Sequence, residues 1–494
     1  MLLANSIFGT PTEASVADET ETTDLSDDIV FPHDEVIDVN IVITDEDYQY
    51  LLDNAMDEVY VNADITYNGY TLSNVAIRAK GNSSLRDVYN AGGDRFSFKV
   101  DLNYYIDGQD LFGIDKLNLN NLFMDPSMMA EYIGYEMFDS LDAISSRTTF
   151  AALYINGEYY GLYLSVENID SEFLEDNFDD SEGYLYKPEM GTGADLSYVS
   201  DDPTDYTGLF PTNYDDYTND SILELITAIE NGDELDEIFD VDQFLKYLAI
   251  STYTVHMDSY QGGMFHNYYL YNNDGVYEWL PWDLNMTFNG FPGFSLSDEL
   301  ATQMIIDEPT SSALSNYPII ESVLANEEYL ETYHEYLQEL IDNYADEDTF
   351  NDRVLEIYQM INNYVANDSN SFYSYTEFEN ALFADTTSSL TGFIEARNES
   401  VESQLAGLTE STNDGLGAIS ASTDTPTDGP GGNDRPTRPV GDLPTNNNNQ
   451  DEVVNVGDEV PNLSQEYLDA NIAVIIFGVV GTIGASTYLA LKKY

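Results

Sequence analysis

Fifteen lysines and arginines have to serve a chain of 494 residues that also carries 92 aspartates and glutamates, giving a formal net charge of −77. No motif constrains the fold as much as that imbalance. Self-repulsion at such a charge favours unfolding unless salt screens it, over a Debye length of about 10 Å at 0.1 M and about 3 Å at 1 M. The sequence therefore predicts a protein adapted to saline surroundings. Hydrophobic residues make up 43% and aromatic residues 13% of the chain, enough for a real core, which excludes a disordered acidic chain. There is no basic face to release counterions from a nucleic acid, so nucleic acid is not an expected partner. Cysteine is absent, which removes disulfides, thiolate nucleophiles and Cys-based zinc sites.

Five of the fifteen cations fall in one stretch. It reads Arg78-Ala-Lys80-Gly81-Asn82-Ser83-Ser84-Leu85-Arg86 and then Arg95-Phe-Ser-Phe-Lys99. No Lys or Arg precedes it, and none occurs from Tyr247 to Asp352. Backbone N–H groups of a small-residue turn, with Lys and Arg beside them, are what a phosphate requires. The plainer alternative is that the five simply neutralise nearby carboxylates.

Along the chain, residues 1–17 resemble the end of a signal peptide, with an apolar Met1 to Phe8 and a small-residue Ala14-Ser-Val-Ala17. Residues 18–33 form an acidic lead-in. From Glu35 to Asp101, apolar and polar residues largely alternate, as in strands. Asn68-Gly69 and Asn156-Gly157 read as hairpin turns. Asp45 to Asn54 reads as a short helix, and Asp125-Pro126-Ser127 opens another with Asp125 as its cap. From Ser221 to Arg397 helices dominate, interrupted by strands at 267–271 and 276–280. Residues 406–469 form an acidic low-complexity linker. Ala470 to Leu491 is uncharged and long enough for about 30 Å of hydrocarbon, and Lys492 and Lys493 follow it. The charge bias across that segment places 492–494 in the cytoplasm and the rest outside. The expectation is a single-pass cell-membrane protein of α+β class, with a β-rich first half, a helical second half and a cleft between them.

Both tryptophans and two of the four histidines lie in His256-Met-Asp258-Ser-Tyr260-Gln-Gly-Gly-Met-Phe-His266-Asn267 and Trp279-Leu-Pro-Trp282-Asp283-Leu-Asn285. Asp283 follows a strand among bulky apolar neighbours, and Asp258 sits between a helical run and a Gly-Gly loop. One carboxylate on a loop and another after a strand match the layout of a phosphotransferase, in which an Asp receives a hydroxyl proton while an Asp and an Asn hold Mg²⁺. A nucleotide could approach these carboxylates only if divalent cations screened them. Against this, each Asp could be a helix cap or a turn residue. His256, His266 and Asp283 could also hold zinc, although no HExxH spacing supports it. Val75-Ala-Ile-Arg78 is like a kinase strand, but no Gly-rich loop precedes it.

From about Asp34 to Arg397, within a domain placed at residues 34–405, the chain resembles the CotH proteins, the spore-coat-protein-H-like atypical kinases. The resemblance rests on Arg78-x-Lys80-Gly81-Asn82-Ser83-Ser84, Phe96-Ser-Phe-Lys99, Lys116-Leu-Asn-Leu-Asn120-Asn121 and Asn156-Gly157-Glu158-Tyr159-x-Gly161. Further pieces are Tyr184-Leu-Tyr186-Lys187-Pro188, His266-Asn267-Tyr268-Tyr269 and Pro281-Trp282-Asp283-Leu284. It implies a divergent two-lobed protein-kinase-like fold, followed here by a transmembrane helix. It also implies ATP, Mg²⁺ or Mn²⁺, and a protein acceptor with Ser or Thr hydroxyls. Carried over, Asp258 is the catalytic carboxylate, Asp283 the metal ligand and Asn267 a second one. Lys99, with Glu131 as its helix partner, is the candidate phosphate lysine, and Lys80 competes for that role. Gly81, Asn82, Ser83 and Ser84 form the loop nearest the phosphates. Ala130 stands where the family pattern has Arg, and Asn285 where it often has Asp. Two readings compete with kinase activity: a surface adhesion or binding protein on an inactive scaffold, and transfer to a small molecule or glycan.

Overall fold

The alternating segments of the first half become strands. They are β1 (Val36–Val42), β2 (Val61–Tyr67), β3 (Tyr70–Lys80), β4 (Ser97–Asp101), β5 (Lys116–Asn120), β6 (Thr148–Ile155) and β7 (Glu158–Glu167). The computed structural model describes residues 25–178, 181–214, 217–218, 220–232, 235–294 and 296–419. Asn68 and Gly69 have φ of 44° and 83°, and Asn156 and Gly157 have 54° and 85°. Positive φ at both central residues matches the twist of a two-residue hairpin, and Asn-Gly reaches it at little cost.

The strand order is β1-β2-β3-β4-β5-β7-β6, and β6 returns to pair with β1 in parallel, from Val36 opposite Phe150 to Ile41 opposite Ile155. The N-terminal half is thus a closed seven-stranded barrel. This corrects the expected kinase-like fold with a transmembrane helix. The closing pair joins segments far apart in sequence, so local alternation gives no sign of it, and closure leaves no edge strand exposed. The membrane expectation is corrected too: among the described residues no helix is long and apolar enough to cross a membrane. The segment 470–491 and residues 1–17 lie outside the described residues, and no membrane location is carried further.

Ile41, Ile65, Ile77, Phe98, Val100 and Leu153 fill the barrel. Tyr67 is fully buried among them, its hydroxyl donating to the Val30 carbonyl at 2.8 Å and lying 2.9 Å from the Ser165 hydroxyl. Residues read as lead-in also contribute: a short helix, Leu25–Ile29, leads into Val30 and Phe31, both buried in this core.

The second half is largely helical, with long helices at Val241–Tyr253, Glu327–Leu340, Glu347–Ala366 and Leu390–Leu405. A small antiparallel sheet, β8 (Leu185–Tyr186), β9 (Tyr268–Asn273) and β10 (Val276–Pro281), lies among them in the order β10-β9-β8. Trp279 stacks on Tyr268 with ring centroids 3.9 Å apart. The helix Ala130–Ser140 joins the halves. A Cβ on Gly134 would lie 3.1 Å from Leu284 Cβ, and the Thr287 hydroxyl donates to the Ala130 carbonyl at 3.1 Å. That helix begins four residues later than expected. Met128 has φ 58°, which is incompatible with a helical turn there, and Asp125 instead accepts from Ser127 N at 2.8 Å and Ala130 N at 2.9 Å.

Candidate functional site

A cavity of 2680 Å³ opens between the barrel and the helical half. The barrel side is built by β3, β4 and β5. β3 ends at Lys80, Gly81 turns the chain at φ 118°, and a helix, Ser83–Asn90, starts at once with Asn82 as its cap residue. A Cβ on Gly81 would meet Ser84 Oγ at 2.8 Å. The Gly-Asn-Ser-Ser turn is therefore a strand-to-helix junction, and Gly81 through Ser84 all line the cavity.

The plain neutralising role holds for three of the five clustered cations. Arg78 pairs with Glu58, Arg86 lies 3.7 Å from Asp87, and Arg95 is buried with Asp368 at 2.8 Å. Lys80 and Lys99 differ. Lys80 Nζ donates to Asn120 Oδ1 at 2.9 Å, and Asn120 Nδ2 donates to both Glu131 oxygens at 3.0 and 2.9 Å. Lys99 Nζ donates to Asn168 Oδ1 at 3.0 Å. The helix Glu therefore belongs with Lys80, through an amide, and not with Lys99.

Among the described residues, each remaining Lys and Arg has a carboxylate within 4 Å, with two exceptions. Arg397 is buried and donates to four backbone carbonyls. The other, Lys187, stands just after β8 with its Nζ 5.4 Å from the Tyr269 ring and 6.0 Å from that of Trp282. Lys80 Nζ lies 5.4 Å from the same Trp282 ring. In a chain so rich in acids, the three lysines without a carboxylate partner all face one cavity.

Burial pushes Lys80 down to about 8 against the pull of Asp283 and Glu131, and it pushes Lys99 down to about 8 with help from Lys80 and Arg78. Burial raises Glu131 to about 8, and negative Asp283 adds to the effect. For Lys187 burial acts downward, but Tyr269 and Asp283 hold it above its ordinary value.

Asp258 follows the Val241–Tyr253 helix after a left-handed Val255 (φ 52°). His266 Nε2 is 3.2 Å from Asp258 Oδ1, and Asn267 Nδ2 donates to the Asp258 carbonyl at 2.7 Å. Trp282 N donates to the Asn267 carbonyl at 3.2 Å, stitching the end of β10 to this loop. Asp283 comes next, in the left-handed region at φ 60°, and its side chain caps nothing, so the helix-cap alternative does not hold for it. Its pKa is raised by burial and by Asp258, and opposed by Lys80, His266 and Lys187. Two residues on, Asn285 Oδ1 is buried without a hydrogen-bond partner.

The zinc alternative gains nothing from this geometry. His256 is buried and held neutral, its pKa lowered to about 4. Among the described residues, the acidic group with ligand-like spacing is Asp115, Asp170 and Glu172. Lys116 Nζ already stands there, 2.6 Å from Asp115 and 3.4 Å from Asp170. Sequence reasoning assigned no role to Asn120, Asn168 or Lys187. Asn120 and Lys187 were legible only as polar side chains inside the quoted motifs, and Asn168 lies outside all of them.

These features define a class: a barrel half and a helical half enclosing a cleft in which unpaired lysines face two carboxylates. The chain belongs to the family described as CotH kinase protein, whose family model matches residues 77–401. It is 29% identical over 198 residues to inner spore coat protein H of Bacillus subtilis strain 168, covering 36% of this chain and 51% of that protein. It is 23% identical over 310 residues to invasin CotH2 of Rhizopus delemar, covering 56% of this chain and 49% of the invasin. Invasin CotH3 of the same fungus is 22% identical over 304 residues, covering 56% and 48%. The chain spans about half the length of the curated relatives it matches.

Proposed function

We propose that the cleft binds ATP with a divalent cation and transfers the γ-phosphoryl group to a Ser or Thr hydroxyl of a protein acceptor. The observation that carries this reading is the set of three lysines, Lys80, Lys99 and Lys187, that have no carboxylate partner and face Asp258 and Asp283 across one cavity. Three half-buried ammoniums gathered in one cavity of a chain of net charge −77 carry a desolvation cost that a bound anion would offset. The oxygen donors fit a hard cation: the carboxylates of Asp258 and Asp283, the amide of Asn267, and the partnerless Asn285 Oδ1. Mg²⁺ or Mn²⁺ held there would neutralise phosphate charge.

Within this reading Lys80 takes the phosphate role, because Asn120 fixes its ammonium and Glu131 stands behind Asn120. Lys99 and Lys187 flank it. Asp258, oriented by His266 and Asn267, accepts the proton of the attacking hydroxyl. Catalysis is then mostly positioning and charge stabilisation.

A second reading has support from two relatives that are named invasins: a surface binding protein on a scaffold that no longer transfers phosphate. Mg²⁺- or Mn²⁺-dependent ATP binding and transfer to a Ser-rich peptide in high salt, wild type against Asp283→Ala, separates the two. Transfer should fall about a thousandfold or more in the variant. A folded wild type that neither binds ATP nor transfers phosphate rejects the kinase reading.

A further inference from the structure

Outside the cleft, four carboxylates meet beside one lysine on the outer face of the barrel. Phe98 and Val100 of β4 and Leu117 and Leu119 of β5 are buried in the barrel core. Asp101 and Lys116, which face each other in register, therefore leave the two strands on the opposite side. Lys116 Nζ lies 2.6 Å from Asp115 and 3.4 Å from Asp170. Asp115, Asp170 and Glu172 each place a carboxylate oxygen within 4.8 Å of the others. Asp115 is held there from both ends, its carbonyl accepting from Leu102 N at 2.7 Å and its carboxylate from Asn103 Nδ2 at 2.6 Å.

Lys116 leaves Asp101 unanswered. Asp101 is 8% exposed, and its Oδ1 is buried with no hydrogen-bond partner. Its charge reaches the Asp115 carboxyl, as does that of Glu172. A buried carboxylate oxygen costs desolvation unless a proton donor or a cation meets it. Lys116 brings one positive charge to four negative ones, and that charge is already shared between Asp115 and Asp170. The four carboxylates come from three places in the chain: the end of β4, the entry to β5 and the segment leaving β7. An all-oxygen group of this kind suits a hard cation. It suits Ca²⁺, with its adaptable coordination, better than Mg²⁺, which gives up its water reluctantly.

We infer that Asp101, Asp115, Asp170 and Glu172 form a calcium site on the outer wall of the barrel, separate from the metal site proposed in the cleft. None of the four lines the cavity. The site nevertheless stands directly behind the cleft wall. Asn168 Nδ2 donates to Asp170 at 2.6 Å, and Asn168 Oδ1 accepts from Lys99 at 3.0 Å. Lys116, a point charge on a flexible stem, yields its place between Asp115 and Asp170 to the ion. The ion then ties the connection between β4 and β5 to the chain leaving β7, and offsets a repulsion that one ammonium offsets only in part. Glu172 is half-exposed, so the site belongs with the weaker calcium sites, of dissociation constant about 10⁻⁴–10⁻³ M.

The test is equilibrium dialysis of the full chain against radioactive Ca²⁺ in high salt, which suppresses diffuse binding to the other carboxylates. It is paired with urea unfolding with and without about 10 mM Ca²⁺. Calcium should raise the unfolding midpoint of wild type. Glu172→Gln should bind at this site about tenfold more weakly or worse, and its midpoint should rise much less. Asp283→Ala, which removes a carboxylate from the cleft, should respond as wild type does. Lys116→Met should bind calcium about three- to tenfold more tightly than wild type, because the competing ammonium is gone. A lysine that merely neutralised its neighbours would instead leave a destabilised variant that calcium does not restore, and that result overturns the inference. Equal calcium responses in wild type and Glu172→Gln also overturn it. So does a response lost in Asp283→Ala but kept in Glu172→Gln, which places the ion in the cleft.

Discussion

Replacing Asp368 by alanine should cost this protein about 5 kcal/mol of folding stability, because it strands a charge where water cannot reach it. Arg95 and Asp368 are each 2% exposed at the side chain. Asp368 accepts two contacts from Arg95 Nη1, at 2.9 and 2.8 Å, and the N–H groups of Leu162 and Asn370, each at 3.0 Å. Removing one partner of a buried pair costs about 3–5 kcal/mol, and stranding the Leu162 N–H adds about 1–3 kcal/mol. Arg95 keeps part of its support: the Leu162 carbonyl at 2.7 Å, the Asn121 carbonyl at 3.3 Å and the faces of Tyr163 and Phe372. That places the sum toward the lower end of its range of about 4–8 kcal/mol. The assay is urea unfolding at 2 M NaCl, followed by the emission of Trp279 and Trp282, the two tryptophans of the chain. Because the pair is shielded from solvent, the difference from wild type should barely change between 1 and 3 M salt. The double variant Arg95→Met with Asp368→Leu should recover most of the loss, since no charge is left behind. A loss below about 1 kcal/mol, or a double variant no better than the single, would refute the reasoning.

Lys80→Met should weaken ATP binding by about 10- to 100-fold, and Lys99→Met by less, since only Lys80 is held by the Asn120–Glu131 pair; isothermal titration reads both. Lys80 in the empty protein loses its proton near pH 8, so wild-type affinity should fall as pH rises through about 8, and Lys80→Met should flatten that profile. His256 stays neutral in the folded protein down to about pH 4 but takes up a proton near 6.5 when unfolded. The unfolded state therefore binds the extra proton between those values, and stability is lost as pH falls through them, by about 3 kcal/mol. His256→Gln should lack that component, which shows as a gap between the two proteins' unfolding midpoints that changes from pH 7 to pH 4.

The local pieces of this fold could be read from sequence where a short-range signal exists. Asn68-Gly69 and Asn156-Gly157 declare their hairpins through backbone preference, and the segment read as a helix from Asp45 to Asn54 forms one at Asp45–Asp53, opened by Thr44 as cap. The barrel closure could not be read this way, because nothing in residues 36–41 specifies residues 150–155 as their partner. The start of the Ala130–Ser140 helix was misjudged for a related reason. Asp125-Pro126 looks like a helix entrance, but the same carboxylate closes a non-helical turn, which is a competing use of an Asp side chain. In the cleft, residue types pointed to a lysine and a Glu, while the pairing of Lys80 with Glu131 depends on β3 and β5 bringing Lys80 and Asn120 within 2.9 Å. Sequence order alone favoured Lys99, and only strand register separates the two.

The closing pair of the barrel also sets an order of events at synthesis. Val36 waits for Phe150, a partner 114 residues downstream, which at about 5–20 residues per second amounts to roughly 6–23 s of translation. Throughout that interval β1 offers an open edge to any neighbouring chain. The first 77 residues contain no Lys or Arg at all, so two emerging copies meet with like charges and little to bridge them. The same scarcity of cations thus keeps the unfinished barrel apart from its neighbours on a polysome until its closing strand arrives.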